Sequence, residues 1–389
     1  MADKVRIGIV GIGNMGSGHI RYLSKGEVSG AELTAVCDTR PERLEWAKET
    51  LGDNVKRFAS ADEMFASGSV DAVLIATPHY DHPPLAIKAF EKGLHVLVEK
   101  PAGVYTKQVR QMNEVAAQSG KVFGIMYNQR TNPIYQKLRD LVLSGELGEI
   151  RRTNWIITSW YRSQSYYDSG GWRATWAGEG GGVLLNQDPH QLDLWQWTIG
   201  MMPHRVRAFC HFGKYRDIEV EDDVTAYVEY PNGATGVFVT TTGEAPGTNR
   251  FEVTGDRGKI VIEDGKLTFW RLRVPESQFN REYKGGFGHP ECWKCEIPVS
   301  GDKGNGHMQI TQNFVNAILK GTPLLAPGEE GIKGLTISNA MHLSTWTDNW
   351  VNLPIDEDLF YEKLQERIRN SKSTKRIDQA RTLDVSGTH

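Results

Sequence analysis

Short apolar runs alternate with amphipathic segments over the first third of the chain. The runs are rich in β-branched residues, as buried parallel strands are, and the segments between them repeat apolar positions every three to four residues. We predict strands at Val5–Val10, Leu33–Cys37, Ala72–Ala76, His95–Val98 and Val122–Met126, and helices at Ser17–Lys25, Pro41–Leu51, Pro83–Lys92 and Thr106–Gln118. This order predicts an α/β domain over residues 1–127, with a parallel sheet, right-handed crossovers and helices on both faces.

The pattern changes after about residue 128. Alternating strands are predicted at Thr225–Tyr230, Thr235–Thr241, Phe251–Thr254 and Lys259–Ile262, and helices at Ile134–Ser144, Gln191–Ile199 and His307–Lys320. Asn232-Gly233 is a hairpin signal, because both residues tolerate the positive φ that such turns need. We therefore predict an α+β domain with an open, mainly antiparallel sheet over residues 128–370, followed by a loosely held polar tail at 371–389.

Composition narrows the class of protein. The 389 residues are 39% hydrophobic and carry a formal charge of −3, which gives no global attraction to nucleic acid or to an anionic membrane. The first thirty residues lack a secretion signal, and no apolar stretch reaches the length of about 18 residues that a membrane span needs. We expect a cytoplasmic protein that acts on a small molecule.

The cysteines favour a reducing compartment. Four in a chain of this length are too few for a disulfide framework. Cys292 and Cys295, with His289 nearby, have the one metal-like spacing, but a structural zinc site takes four ligands and no second pair exists. Cys295 also runs into a strand-like stretch rather than opening a redox helix. We interpret the pair as reduced thiols and expect no metal.

A glycine-rich turn follows the first strand. Its sequence is Gly11-Ile12-Gly13-Asn14-Met15-Gly16, and Asp38 ends the second strand 22 residues beyond Gly16. This is the arrangement of a dinucleotide site: the glycines admit the pyrophosphate and the acid holds the adenosine ribose. A tight turn without a ligand is the structural alternative.

The residues after the second strand bear on the choice of nucleotide. We place Asp38, Thr39, Arg40 and Arg43 among the cofactor contacts. The acid would repel a 2′-phosphate and so favours NAD, whereas the two arginines leave NADP possible. Both arginines could equally be a solvated helix start.

Two further clusters end strands of the same sheet. Thr77-Pro78-His79 with His82 follows the third predicted strand, and Glu99-Lys100-Pro101 follows the fourth. Ligands of open α/β sheets bind at this edge, so we expect all of these residues except Pro101 to contact the cofactor. A lysine here would point into the nicotinamide region.

Together these motifs resemble those of the Gfo/Idh/MocA family, which includes glucose-fructose oxidoreductase, inositol dehydrogenase and rhizopine-catabolism proteins. The second-domain motifs at 170–173 (Gly-Gly-Trp-Arg) and 180–190 support the resemblance. It implies an N-terminal Rossmann domain and a second domain whose open sheet often mediates dimers or tetramers. It also implies that Lys100 lies near both nicotinamide and the substrate hydroxyl, and that His190 transfers a proton.

The sequence departs from the family at two positions. Many inositol and sugar dehydrogenases of the family have Asp four residues before this histidine, where this chain has Asn186. An amide can bind a hydroxyl but cannot take up a proton at neutral pH. Asp188 stands where relatives usually have Gly, and it either supplies a carboxylate or marks a local turn. We count both residues among the catalytic candidates.

The hypothesis is an NAD(P)-dependent oxidoreductase that transfers a hydride between a secondary alcohol of a sugar or cyclitol and nicotinamide. Histidine has the pKa closest to working pH, so His190 is the first choice of base. Lys100 would orient the oxygen, and oxidised nicotinamide would lower its pKa. Two alternatives remain: a redox-neutral sugar-processing enzyme with tightly bound NAD, and a non-enzymatic dinucleotide sensor.

Aromatic residues concentrate between positions 155 and 197. Such rings stack on the apolar faces of sugars, and interleaved polar side chains would bind hydroxyls. The predicted substrate contacts are Trp160, Arg162, Tyr166, Trp176, Asn186, Gln187, His190 and His307, the last being either a pocket residue or a helix cap. We expect Trp172, Arg173 and Asn128 to contact the cofactor, and Tyr127 and Arg130, at the same junction, to face it as well.

Overall fold

The computed structural model describes residues 4–301 and 304–374. The strands are β1 (Val5–Val10), β2 (Ala31–Cys37), β3 (Lys56–Phe58), β4 (Ala72–Ile75), β5 (His95–Val98), β6 (Phe123–Ile125), β7 (Ile150–Ile157), β8 (Arg205–Phe212), β9 (Glu221–Glu229), β10 (Thr235–Thr241), β11 (Asn249–Gly255), β12 (Gly258–Glu263), β13 (Lys266–Leu272), β14 (Cys292–Ile297) and β15 (Val351–Asn352).

The helices separate these strands and cover them. They are α1 (Asn14–Ser24), α2 (Pro41–Leu51), α3 (Ala61–Ala66), α4 (His82–Glu91), α5 (Thr106–Ser119), α6 (Pro133–Leu143), α7 (Gln164–Tyr167), α8 (Val183–Asn186), α9 (Pro189–Ile199), α10 (Glu276–Glu282), α11 (Gly306–Lys320), α12 (Gly331–Thr347) and α13 (Glu357–Arg369). None of the helices among the described residues is long and apolar enough to cross a membrane.

The first sheet has the strand order β3-β2-β1-β4-β5-β6, and its pairs are parallel. The order reverses between β1 and β4, which opens a crevice at the carboxyl ends of these strands. The five predicted strands are confirmed. The sixth, β3, was missed because Lys56–Phe58 is short and begins with two charged residues, so it has no apolar run.

The second sheet has nine strands in the order β14-β13-β12-β11-β7-β10-β9-β8-β15. It is antiparallel except where β10 pairs with β7, so the mainly antiparallel prediction is confirmed. The predicted hairpin joins β9 to β10. Gly233 has a φ of +83°, which supplies the positive φ that such a turn needs, whereas Asn232 is not among the residues with positive φ.

One face of the second sheet packs against helices α6, α9 and α12. Its centre is Trp155, which is fully buried and stacks on Phe251 at 4.2 Å between ring centroids. Such a ring stabilises a core by roughly 3–5 kcal/mol relative to alanine. The opposite face is open: Phe209, on β8, is 52% exposed, and Tyr227, on β9, is 38% exposed.

The chain returns to the first sheet after the second is complete. Helix α11 packs against β1 and β5, and α12 and α13 pack against α5. These helices bring residues 306–369 beside the crevice of the first sheet. Of the tail predicted at 371–389, residues 371–374 are described, and the Ser371 hydroxyl donates to Glu219 at 2.5 Å. The remaining tail lies outside the described residues.

Candidate active site

The glycine turn between β1 and α1 has the shape that a dinucleotide requires. Gly11 has a φ of +92°, and a Cβ there would lie 2.6 Å from the Ala76 carbonyl oxygen. A Cβ on Gly16 would lie 1.9 Å from the Gly11 oxygen, so only glycine lets α1 approach the turn. At Gly13 a Cβ would meet no heavy atom within 4 Å. The turn is therefore tightly packed at Gly11 and Gly16 and open at Gly13, so a pyrophosphate fits at the start of α1.

Helix α1 begins earlier than predicted. It starts at Asn14 rather than Ser17, so the last three residues of the glycine motif, Asn14, Met15 and Gly16, form its first turn. Gly13 is the residue before the helix and provides no side-chain cap. The free backbone N–H groups of this first turn are the donors that an anion would accept.

Asp38 is tied to the same turn. One carboxylate oxygen accepts from the Ile12 amide at 2.8 Å and the other from the Arg40 amide at 2.9 Å. Arg43 donates to the Ile12 carbonyl and to the Ser17 hydroxyl, which leaves less of its charge for a 2′-phosphate. Thr39 beside them is exposed. This arrangement favours NAD, as the carboxylate predicted.

The loop after β4 is held by its own histidines. Both ring nitrogens of His82 face protein carbonyl oxygens, Thr77 at 2.8 Å and Pro101 at 2.7 Å, and the side chain is 1% exposed. The predicted cofactor contact by His82 is therefore wrong: a ring with both nitrogens occupied locks the two strand-end loops together. The Thr77 hydroxyl oxygen is buried without a partner, and Pro78 is exposed, so these two remain available to a ligand.

His79 links the loop after β4 to the segment that precedes α8, through contacts with Glu179 and Trp172. Its Nδ1 lies 3.2 Å from the Glu179 carbonyl oxygen, and its ring meets the Trp172 ring edge-on at 5.6 Å. Burial, with the charges of His82 and Lys100, holds the pKa of His79 well below its usual value. A neutral His79 therefore helps to place Trp172 over the β4 edge.

Lys100 follows β5 and precedes a cis peptide bond to Pro101. Its Nζ donates to the Asn186 carbonyl oxygen at 2.7 Å, which joins the two halves of the site. Burial lowers the pKa of Lys100, and Glu99 and Glu179 oppose that shift. Oxidised nicotinamide was predicted to lower this pKa; in the structure burial lowers it, and the charges of Arg173 and Arg162 add to the effect.

Glu99 is held by a network that sequence analysis missed. Its Oε1 lies 2.7 Å from His19 Nε2, and His19 Nδ1 lies 2.6 Å from the Tyr22 hydroxyl, which reaches Thr311 at 2.8 Å. Burial by itself raises the pKa of Glu99, but the bond and charge of His19 outweigh it and set the pKa at about 2. Glu99 therefore fixes β5 to α1 and α11. The position of His19, three residues after Gly16 on α1, was the available signal.

Asn186 lies between Lys100, which bonds its backbone carbonyl, and the carboxylate of Glu179, which bonds its side chain. Its Nδ2 donates to Glu179 Oε1, and Glu179 Oε2 accepts from the Ala174 amide at 2.6 Å. Glu179 is 2% exposed, and burial raises its pKa. At this position, where the family resemblance implies an aspartate in many members, the chain has an amide whose NH₂ group bonds a buried glutamate. Sequence analysis missed Glu179, which stands in the Gly-rich segment before Asn186.

Asp188 lies beneath the site. It is fully buried, and its Oδ1 accepts from the Trp160 indole at 2.7 Å. Burial raises the pKa of Asp188 to about 8, so the carboxyl is protonated at neutral pH. Of the two interpretations left open, the geometry favours a local role: Asp188 precedes α9 and positions Trp160.

His190 is half-buried, one residue into α9. Its Nδ1 is buried without a hydrogen-bond partner, and its ring lies 6.1 Å from the Tyr127 ring. Burial, Lys100 and His307 hold the pKa of His190 well below its usual value. The imidazole is therefore neutral and able to accept a proton.

His307 lies on the same side of the site. Its ring is 5.7 Å from the His19 ring, and its charge lowers the pKa of both Glu99 and His190. The cap of α11 is Asn305, whose side chain accepts from the His307 and Met308 amides. The alternative in which His307 caps the helix is therefore wrong.

Several of the predicted contacts lie side by side and form what we call the wall of the site: Trp160, Arg162, Tyr166, Trp172, Arg173 and Gln187. The Arg162 and Arg173 guanidinium carbons lie 5.3 and 4.8 Å from the centre of the Tyr166 ring. The Tyr166 hydroxyl accepts from Arg173 at 2.9 Å and from Gln187 at 3.3 Å. Trp160 and Trp172 flank the two arginines, at 5.8 and 4.7 Å respectively.

Trp176 does not belong to this wall. It is 4% exposed and packs edge-on against His342 and Trp346 of α12, at 5.8 and 5.6 Å. The turn at Ala174, which has a φ of +56°, directs the chain away from Tyr166 and into the core. The prediction that Trp176 contacts substrate is wrong for this reason.

Two residues of the junction after β6 are buried and bonded within the protein, contrary to the prediction that they face the cofactor. Arg130 is 1% exposed and pairs with Asp193 and Glu330, and the buried Tyr127 hydroxyl donates to the Gly331 carbonyl at 3.3 Å. Neither residue faces the cofactor. Asn128 Oδ1 is buried without a partner and remains a candidate contact.

The two spaced cysteines lie on β14 at the edge of the second sheet. Residues three apart on a strand point to opposite faces, and both thiols are free. Within the described ranges no group of three or more His, Cys, Asp or Glu side chains is arranged to hold a metal ion.

The fold and the glycine turn define a two-domain, dinucleotide-binding oxidoreductase. Residues 5–127 match an oxidoreductase family with an NAD-binding Rossmann fold, and residues 135–261 match the GFO/IDH/MocA C-terminal domain. The chain belongs to the GFO/IDH/MocA family.

Individual relatives agree with this assignment. The rhizopine catabolism protein MocA of Rhizobium meliloti is 33% identical over 53% of this chain and 60% of that protein. The myo-inositol 2-dehydrogenase of Thermotoga maritima is 24% identical over 86% of this chain and 95% of that one. The WlbA dehydrogenase from Chromobacterium violaceum, solved with NADH and UDP-GlcNAcA, is 29% identical, with a TM-score of 0.78 over 91% of this chain and 97% of that chain.

These comparisons confirm the expected class. The chain is an oxidoreductase with an NAD-binding Rossmann domain, and the WlbA dehydrogenase that it resembles was solved with NADH, in agreement with the cofactor predicted from the first domain.

Proposed function

We propose that the protein oxidises a secondary alcohol of a sugar or cyclitol with NAD as the oxidant, and that Lys100, His190 and Asn186 bind the alcohol and accept its proton. The observation that supports this is their convergence: Lys100 from β5 bonds the backbone of Asn186, four residues before His190, at the crevice of the first sheet. This crevice is where ligands of open α/β sheets bind.

Each residue has a distinct part in the chemistry. Lys100 uses one N–H on the Asn186 carbonyl, so two remain to hold the substrate oxygen and stabilise its developing charge. The neutral His190 accepts the hydroxyl proton. Asn186, oriented by Glu179, binds a neighbouring hydroxyl.

The nucleotide fits the residues that face the crevice. The glycine turn, Asp38 and the unpartnered oxygens of Thr77 and Asn128 would hold it. When bound, NAD supplies the hydride acceptor.

The first experiment is a titration of the purified protein with NADH and, separately, NADPH, followed by energy transfer from tryptophan. A denatured aliquot is checked for nucleotide that co-purifies. We expect NADH to bind more tightly, because Asp38 repels a 2′-phosphate. If neither nucleotide binds and none co-purifies, the proposal is wrong.

We further propose that the protein works in the cytoplasm as a homo-oligomer, a dimer or a tetramer, without nucleic-acid or membrane partners. The open face of the second sheet supports self-association, because Phe209 and Tyr227 expose large apolar surfaces on adjacent strands. Light scattering of the purified protein tests it; a monomer at all concentrations would contradict the oligomer.

A further inference from the structure

We propose that the substrate of this site is an acidic sugar derivative, whose carboxylate or phosphate group binds Arg162 and Arg173. The inference rests on the proposed function and goes beyond it, because it assigns a charge to the substrate.

The first argument is the pairing of the two guanidinium groups. Arg162 and Arg173 approach one ring, that of Tyr166, yet within residues 4–301 and 304–374 neither has a carboxylate oxygen within the 4.0 Å of an ion pair. Both residues are half-buried. Cations that are partly removed from water normally pair, so two unpaired ones side by side indicate that an anion completes the site.

The second argument is the charge of the surrounding groups. Lys100 adds a third cation, close enough to Arg162 and Arg173 that each affects its pKa. Among the nearby acids, Glu99 is bonded to His19, Asp188 is protonated at neutral pH, and Glu179 is bonded to Asn186 and to the Ala174 amide. Glu99 and Glu179 together balance at most two of the three cations, so the wall keeps a positive charge.

The third argument is a pair of buried atoms without partners. Arg162 Nε is a donor and Gln187 Oε1 an acceptor, and both lack a hydrogen bond. An unmade bond of this kind costs about 1–3 kcal/mol. An anionic group would satisfy the donor, and an adjacent sugar hydroxyl would satisfy the acceptor.

The test is a binding comparison on the NADH-loaded protein, where an alcohol can bind without turnover. D-Glucose, D-glucuronate and D-glucose 6-phosphate form one set, and D-galactose, D-galacturonate and D-galactose 6-phosphate another, each measured by calorimetry. We expect at least one acid in a set to bind about tenfold or more tightly than its neutral parent, since a bond to a charged group contributes about 1.5–3 kcal/mol. The acid that binds best distinguishes carboxylate from phosphate.

Two variants connect the preference to the arginines. In Arg162→Gln the preference should fall to near one, and added salt should weaken it in the wild type. Arg271→Gln is the matched control. Arg271 lies on β13 and forms an ion pair with Glu146, so the variant removes the same charge outside the wall and should leave the preference unchanged.

The outcomes separate this inference from the proposed function. Failure of NADH to bind contradicts the proposed function itself. With NADH bound, the inference is overturned if the neutral sugars bind as tightly as the acids, if Arg162→Gln keeps the preference, or if no member of either set binds.

Discussion

The buried cluster of Arg130, Asp193 and Glu330 and the half-buried pair of Arg162 and Arg173 are built in opposite ways. Arg130 is 1% exposed, makes two bonds to Asp193 at 2.7 Å each, and pairs with Glu330 at 2.5 Å. Arg162 and Arg173 have no such partner among the described residues. Loss of one partner from a buried ion pair leaves an uncompensated charge, so the fold depends on the pairing of Arg130. The charge of Arg162 and Arg173 is left for the anion that we propose.

The contrast extends to the neighbouring acids. Asp193 and Glu330 stay close to the cation they balance, and Arg130 also lies over the rings of Tyr127 and Trp197. In the active site, Asp188 needs no cation because it keeps its proton, and Glu179 bonds an amide instead of a guanidinium. The site therefore retains positive charge without losing its buried carboxyl groups.

The largest expected effect is on the paired cluster. Asp193→Ala leaves the Arg130 charge buried and half-paired, and we expect a loss of about 3–5 kcal/mol in the free energy of unfolding. Denaturant titration measures it. Asp358→Ala breaks only the exposed pair with Lys107 and should leave the free energy of unfolding nearly unchanged. Equal effects of the two variants would contradict a structural role for the Arg130 cluster.

The next effect is on activity rather than stability. Lys100→Met removes the cation that holds the substrate oxygen, and we expect turnover to fall about a hundredfold or more. Steady-state NADH production with the best substrate measures it, and NADH binding should persist. Lys107→Met, on the surface of α5, is the control. A Lys100→Met enzyme with full turnover would exclude Lys100 from the chemistry.

A smaller effect depends on pH. The pKa of Asp188 rises from an ordinary 3.8 to about 8 in the folded protein. Between these values the unfolded chain releases the proton and the folded chain keeps it, so the wild type loses stability as the pH rises. Asp188→Asn cannot ionise, and its stability relative to the wild type should increase by roughly 2–3 kcal/mol from about pH 6 to about pH 8.

Thermal or denaturant unfolding across that pH range checks the prediction. Asp53→Asn, at a carboxyl that is 89% exposed, should show no such trend. A flat pH dependence for Asp188→Asn would mean that Asp188 is ionised in the folded protein.

The smallest expected effect is at Glu179. In Glu179→Gln the group facing the Ala174 amide can become a second donor, so the orientation of Asn186 loosens. We expect kcat/KM for the alcohol to fall about tenfold, with NADH affinity unchanged. Glu219→Gln alters another carboxylate that accepts a backbone amide, that of Trp176, and should leave kcat/KM unchanged. The same loss in both variants would indicate a general loop defect.

Much of the fold could be predicted because it depends on short segments. The buried strands of the first sheet are continuous apolar runs, and their order along the chain leaves few topologies. The strand β3 escaped because its three residues do not carry that pattern. The boundaries of α2 and β5 were predicted to the residue, because Pro41 begins the helix and a short buried run fixes the strand.

The sequence by itself identified the glycine turn, Asp38, Lys100, Asn186 and His190 as candidate site residues. Each is part of a local motif at the end of a strand or the start of a helix. Tertiary structure alone decided which groups face them: His19 bonds Glu99 across 80 positions, and Arg130 meets Glu330 across 200. It also buried Trp176 while leaving Trp160 at the site. Contacts of this kind depend on how separate helices and strands pack against one another, and the spacing of residues along the chain does not indicate which of them will meet.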